Sequence, residues 1–196
     1  IDTHCHLTHP RFEADVDAAI ARARAAGLAG AVTIGTGVED ARRGLDLAAR
    51  HPGFVLCAAG VDPFTAHARG DAFGDEIAAL RELLETGRFV ALGECGLDYH
   101  HDLDPRPVQA ERFERQLDLA EELGLPVVVH VREAHDDVLA ILAGRGRSRG
   151  AIHSFSGGPA EAERYVALGW HLGVNGIVTF PGAGGRREAA RAAPSA

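Results

Sequence analysis

Short apolar runs rich in β-branched residues alternate along this chain with longer stretches of helical periodicity, and no other feature limits its folding as tightly. The runs Ile1–Cys5, Ala31–Gly35, Phe54–Gly60, Phe89–Glu94, Pro126–Val131 and Gly150–Phe155 predict strands, and a weaker one lies within His171–Phe180. Between them, Phe12, Val16, Ile20 and Ala23 form one apolar stripe at helical spacing, and Phe113, Leu117 and Ala120 form another. Gly27, Gly87 and Gly124 stand where such helices should stop. Strand–helix alternation predicts a parallel sheet with crossover helices, either as an open doubly wound sheet or as a closed (β/α) barrel. A dinucleotide fold needs a glycine-rich turn after its first strand, and CHLTHP follows here instead. That counts against the dinucleotide fold; both architectures are α/β, and the choice between open sheet and barrel stays open on these residues alone. Such a barrel draws its active-site residues from the C-terminal ends of several strands. No linker, low-complexity block or fixed repeat interrupts the 196 residues, so 1–196 reads as a single domain.

Bulk properties narrow the function. Hydrophobic residues make up 46% and charged ones 24%, an ordinary balance for a chain with a real core. No run approaches ~20 apolar residues and no basic segment precedes an apolar one, which points to a soluble, cytoplasmic protein with no membrane partner. The net charge of −8 argues against a broad basic surface for nucleic acid. It leaves room for a phosphodiester held at a small site where metal ions supply the positive charge. Cys5, Cys57 and Cys95 are odd in number and lack CxxC spacing, which fits a reducing compartment and a packing role.

The ionisable residues at the strand ends form a pattern. His4 and His6, two apart on the first strand, present their imidazoles on one face. The fourth strand ends in Glu94, the fifth in His130 followed by Arg132, and the sixth in His153. Each has an ordinary reading alone: a core histidine for His130, a helix cap for His153, an ion-pair partner for Glu94. A barrel would bring all of them to one end. Two imidazoles and a carboxylate can hold one cation, and the shared carboxylate with two further imidazoles a second one ~3.5–4 Å away. Such donors suit zinc or manganese; magnesium is a poorer match. Metal-activated water would then replace a protein nucleophile, consistent with the lack of a G-x-S-x-G elbow. Arg132 faces the same way as His130 and is a candidate phosphate contact, with an ordinary salt bridge as the alternative. His9, His51, His67, His100 and His101 read as solvated, and Cys95 as packing.

The segments IDTHCHL, GECGLDY, PVVVHVREA and HSFSGG, in that order, resemble the TatD-type metal-dependent deoxyribonuclease family, within the amidohydrolase-like metal-dependent hydrolases. FERQLDLAEELGLPVVVH and YVALGWHLGVNGIVTF are similar to the family's intervening segments, so the resemblance spans essentially the whole chain. It implies an α/β fold, a (β/α)8 barrel of the TIM type, with a divalent-metal site and hydrolysis of DNA phosphodiester bonds; together with the donor set above, the expectation is two divalent metal ions acting on strand ends or single strands. Carried over by position, the metal ligands are His4, His6, Glu94, His130 and His153, the same set the strand ends offered; Glu94 and, from its place beside His130, Arg132 are the candidate catalytic residues. Where family members often have a GVHPH-like turn, this chain has GVDPF, with Asp62 and Phe64. The family also continues into an ETD-like eighth strand whose aspartate ligates metal and positions the attacking water. This chain stops at RREAARAAPSA, so the expectation is a barrel lacking its last strand–helix unit, with Arg186–Ala196 helical and the catalytic base beyond Ala196. Two rival functions stand beside the nuclease: a metal-dependent amidohydrolase of small amides, esters or lactones, and a truncated, non-catalytic metal-binding form. No feature of the sequence bears on the oligomeric state.

Overall fold

The structure is a computed structural model that describes residues 1–193. Its contacts divide the chain into two units, Ile1–Glu94 and Cys95–Ala196. The first contains β1 (Asp2–Cys5), α1 (Val16–Ala25), β2 (Ala31–Gly35), α2 (Val38–Arg50), β3 (Val55–Ala59), α3 (Pro63–Arg69), α4 (Phe73–Leu84) and the first half of β4 (Ala91–Asp98). These strands pair side by side in sequence order and all in parallel: Asp2 stands opposite Ala31, Thr33 opposite Cys57, and Ala58 opposite Ala91. Every residue of β2 is buried, which explains its unbroken AVTIG composition: a parallel strand covered on both faces has no polar side to alternate with. Helix α2 buries Ala41, Gly44, Leu45 and Leu47 and leaves its arginines to solvent, so its amphipathic spacing supplies one face of the core. Ile20, Ala31, Leu47, Phe54 and Val55 pack together, with Cys5, Leu7 and Val16 at their margin.

The second unit holds the rest of β4, then α5 (Arg106–Leu123), β5 (Val127–Arg132), α6 (His135–Ala143), β6 (Gly150–Ile152), α7 (Pro159–Ala167), β7 (His171–Leu172) and α8 (Gly184–Ala192). Strands β5, β6 and β7 are parallel neighbours, with Val127 opposite Gly150, Val129 opposite Ile152, and Ala151 opposite His171. Helix α5 ends as its sequence predicts. Gly124 takes the left-handed conformation, φ 67°, and its N–H reaches the carbonyls of Ala120 and Glu121. Phe113, Leu117, Val129, Val138, Leu142, Ile152, Tyr165 and Trp170 are among its large buried side chains.

Several boundaries differ from expectation. Strand β4 does not end at Glu94 but runs on to Asp98, and all of ALGECGLD is buried. A carboxylate inside a fully buried strand reads, in sequence, like the strand's end. Strand β6 stops at Ile152, so His153 lies just beyond it, where Ser154 turns the chain with φ 47°. Phe12, at the head of the first apolar stripe, sits in a 3-10 turn over Pro10–Phe12, and α1 starts only at Val16. The expected terminal helix is present as α8, while residues 194–196 of that expectation lie outside the described residues.

Candidate metal-binding residues

In the first unit β1 and the middle of β4 supply the site. Alternation along β1 sends Cys5 to one side, where its thiol donates to the Val32 carbonyl at 3.3 Å, and His4 and His6 to the other. The chain leaves β1 under control: Asp2 Oδ1 accepts the His4 N–H at 3.0 Å, and Thr33 Oγ1 accepts the Leu7 N–H at 3.1 Å. The Nε2 atoms of His4 and His6 then lie 3.2 Å apart. Glu94 Oε2 is 3.2 Å from the first and 3.7 Å from the second. Glu94 is 6% exposed, and glycines make room for its backbone: a Cβ on Gly60 would stand 2.6 Å from Gly93 Cα and 2.8 Å from the Glu94 carbonyl oxygen. Each neutral imidazole carries one N–H and one lone pair, and the carboxylate only accepts. Two imidazole nitrogens and a buried carboxylate oxygen are a donor set that fits a divalent transition metal or zinc.

The second unit brings together His130, His153 and a residue the sequence reading missed, Asp98. His130 Nδ1 lies 3.2 Å from His153 Nε2, while its other ring nitrogen, Nε2, lies 3.2 Å from Asp98 Oδ2. Oδ2 also receives His101 Nδ1 at 2.9 Å, and Oδ1 accepts the His101 backbone N–H at 3.0 Å. Burial pushes the Asp98 carboxyl up, but the hydrogen bonds from the His101 backbone and ring and from His130 outweigh it. The group ends below its ordinary value. The close approach at His130 depends on a glycine: a Cβ on Gly96, where φ is 153°, would stand 2.0 Å from the His130 carbonyl oxygen. The signal for Asp98 is in GLDY, and a strand ending at Glu94 would hide it, since only the longer β4 carries Asp98 into the interior. His101, expected to be solvated, is half-exposed and tied to Asp98; His100 pairs with Glu133 at 2.8 Å.

Arg132 closes β5 with an exposed side chain, its carbonyl accepting the Tyr99 N–H at 2.9 Å. It lines a cavity of about 390 Å³ with His130, His153, Ser154, Ser156 and Arg186. Glu133 and Ser154, just past β5 and β6, take the left-handed conformation at φ 55° and 47°, which costs non-glycine residues roughly 1–3 kcal/mol each. His135 is held between Tyr165 Oη at 3.2 Å and Ser156 Oγ at 3.4 Å, and burial lowers its pKa. Burial raises the Tyr165 hydroxyl's pKa, so it stays protonated beside His135 Nδ1.

The remaining expectations resolve locally. His153 caps no helix: α7 begins after Gly158, whose N–H is held by Glu161 Oε2 at 2.9 Å. Asp62 caps α3, accepting the Thr65 N–H at 3.0 Å. His51, also expected to be solvated, bonds Asp17 at 2.6 Å, and His9 accepts the Arg11 N–H at 3.1 Å. Cys95 is buried, as expected of a packing residue. No helix among the described residues is long and apolar enough to cross a membrane.

Known proteins match this arrangement along the whole chain. The model of the family described as TatD related DNase matches residues 1–196. A 3'-5' ssDNA/RNA exonuclease TatD of Erwinia tasmaniensis is 38% identical over 179 residues, 90% of this chain and 68% of the relative. The uncharacterized metal-dependent hydrolase YabD of Bacillus subtilis is 32% identical over 196 residues, 99% of this chain and 75% of the relative. Among solved structures, the TatD homologue YJJV of Escherichia coli superposes with a TM-score of 0.89 at 33% identity, covering 98% of this chain and 74% of that one. That likeness bears out the fold class expected from the sequence, α/β of the (β/α) TIM-barrel type.

Proposed function

Because the chain belongs to the family of TatD-related DNases, we propose that it is a divalent-metal-dependent hydrolase of DNA phosphodiester bonds, working exonucleolytically on strand ends or single strands. The observation that carries this reading is the meeting of His4, His6 and Glu94 within 3.7 Å, in a chain whose relatives are named single-strand exonucleases. His4, His6 and Glu94 would hold one divalent ion, and His130 with His153 another, zinc or manganese by the softness of their donors. When bound, such ions lower the pKa of coordinated water and neutralise charge on phosphoryl oxygens.

The chain's own residues do the rest. Glu94 contributes a negative charge that balances part of a bound dication's charge, and burial keeps that charge undiluted by water. Arg132, exposed at the end of β5, offers a guanidinium fork that matches the two free oxygens of a phosphodiester. Ser154 and Ser156, on the same cavity wall, offer hydroxyls for the neighbouring phosphate. The odd number of cysteines and the lack of CxxC spacing support a reducing compartment, hence the cytoplasm.

The test is turnover of a single-stranded oligonucleotide against a panel of small amides, esters and lactones, with and without added manganese. Metal-dependent release of mononucleotides is expected. Cleavage of the acyl panel alone would replace the nuclease with an amidohydrolase, and metal binding without either activity would mark a non-catalytic form. Glu94→Gln, nearly isosteric, should cost at least the ~10–100-fold that loss of an outer-shell partner costs a metal site. Arg132→Ala should raise KM by about 10-fold or more, since a hydrogen bond to a charged group contributes ~1.5–3 kcal/mol.

A further inference from the structure

Behind His130 sits a buried carboxylate to which the proposed metal ligands assign no role. We propose that Asp98 is the positioning residue of the second unit's ligand pair: it accepts the Nε2 proton of His130, sets that ring's tautomer and orientation, and leaves Nδ1 as the donor atom facing His153. The inference rests on reading His130 and His153 as ligands of a divalent ion.

The geometry carries it. Asp98 is 1% exposed and receives two imidazole nitrogens on a single oxygen, His101 Nδ1 at 2.9 Å and His130 Nε2 at 3.2 Å. An ionised carboxylate only accepts, so both nitrogens donate. A neutral imidazole has one N–H; with it on Nε2, the His130 lone pair is on Nδ1, the atom 3.2 Å from His153 Nε2. A carboxylate that merely closed the turn after β4 would need only the Oδ1 bond to the His101 N–H at 3.0 Å. The further pair of contacts on Oδ2 is the part that turn-making leaves unexplained.

Asp98 itself cannot swing away. Its backbone N–H donates to Gln109 Oε1 at 3.0 Å, and Gln109, 6% exposed on α5, is anchored in turn by donating to the Asp104 carbonyl at 2.9 Å. From the other side, Gly96 lets the backbone of β4 press against the carbonyl of His130. A ring held by a buried carboxylate at one nitrogen and offering the other is the arrangement that orients imidazole ligands around metals.

The test uses the full chain freed of metal by a chelator, at about pH 8.5, where imidazoles are neutral. Long-range 1H–15N correlation spectra, with His130 assigned by comparison with His130→Gln, should show its proton on Nε2. A proton on Nδ1 in the wild type overturns the proposal without any variant at Asp98. In Asp98→Asn an amide N–H faces Nε2, so the proton should move to Nδ1. Mn2+ affinity, measured by equilibrium dialysis with no substrate present, should then fall ~10–100-fold at unchanged stoichiometry. A folded Asp98→Asn protein with wild-type tautomer and wild-type Mn2+ affinity also overturns it. His153→Ala serves as the separate check on the underlying reading and should lower the Mn2+ stoichiometry. If it binds Mn2+ as the wild type does, the ligand reading of His130 and His153 falls, while the tautomer comparison, made without metal, still decides whether Asp98 positions the ring.

Discussion

Replacing Gly96 by alanine puts one methyl group where the structure has no space for it. A Cβ there would stand 2.0 Å from the His130 carbonyl oxygen, 2.9 Å from its carbon and 3.0 Å from its nitrogen, all backbone atoms that cannot rotate aside. Ordinary contact begins near 3.4 Å, so the two backbones must part by about 1.4 Å. The φ of 153° adds a conformation that L side chains rarely adopt. Overpacking of a tight interior costs ~1–3 kcal/mol and a glycine-only backbone conformation about as much, so the destabilisation should be roughly 2–6 kcal/mol. For a chain of this length each kcal/mol moves Tm by about 2–4 °C, which predicts a fall of roughly 5–20 °C. Gly144→Ala is the matched control: φ is −75° at the end of α6, and the nearest atom, the Ile141 carbonyl oxygen, is 3.5 Å away. That change should be neutral, or stabilising by ~0.4–1 kcal/mol through the unfolded chain. Circular dichroism melts of the two variants beside the wild type decide the matter. Since His130 moves with its carbonyl, Mn2+ binding by Gly96→Ala should also weaken. Melting of Gly96→Ala together with Gly144→Ala would refute the argument that this glycine sets the spacing at His130.

Two further outcomes follow from local electrostatics. Glu161 is held below the ordinary carboxylate value of 4.5 first by its own backbone N–H and then by that of Gly158, so its stabilisation of α7 is present above that value and lost as pH falls through the lower folded one. Glu161→Ala should cost ~1 kcal/mol near neutral pH, and its melting curve should converge with the wild type's on acidification; a constant gap down to pH 3 would contradict this. Burial pushes the Cys57 thiol up to about 11 and the Cys5 thiol up to about 12, so neither is a thiolate at pH 8. Iodoacetamide should label them only as fast as the protein unfolds, and labelling at the rate of a free thiol in native buffer would show that reading to be wrong.

What the sequence determined by itself was local. The bounds of β2 and the start of β6 were legible because a buried parallel strand is a continuous apolar run between turn residues. The end of α5 was legible because Gly124 is the residue that closes a helix in the left-handed conformation. The meeting of His4 and His6 was legible because residues two apart on a strand share a face, a property of the backbone that no tertiary contact has to supply. Only the tertiary structure decided what surrounds these residues. Glu94 lies ninety positions from His4, and the strand-end pattern could set them in one site without giving the 3.2 Å contact. Asp98 reaches His130 across 32 positions, a pairing that leaves no periodicity to read. Burial then inverted the usual cue: a carboxylate in an apolar run marks a strand's end when water is near, yet Glu94 lies inside β4. The strand runs on, buried throughout, to Asp98, where His101 and His130 take the place of water around the carboxylate.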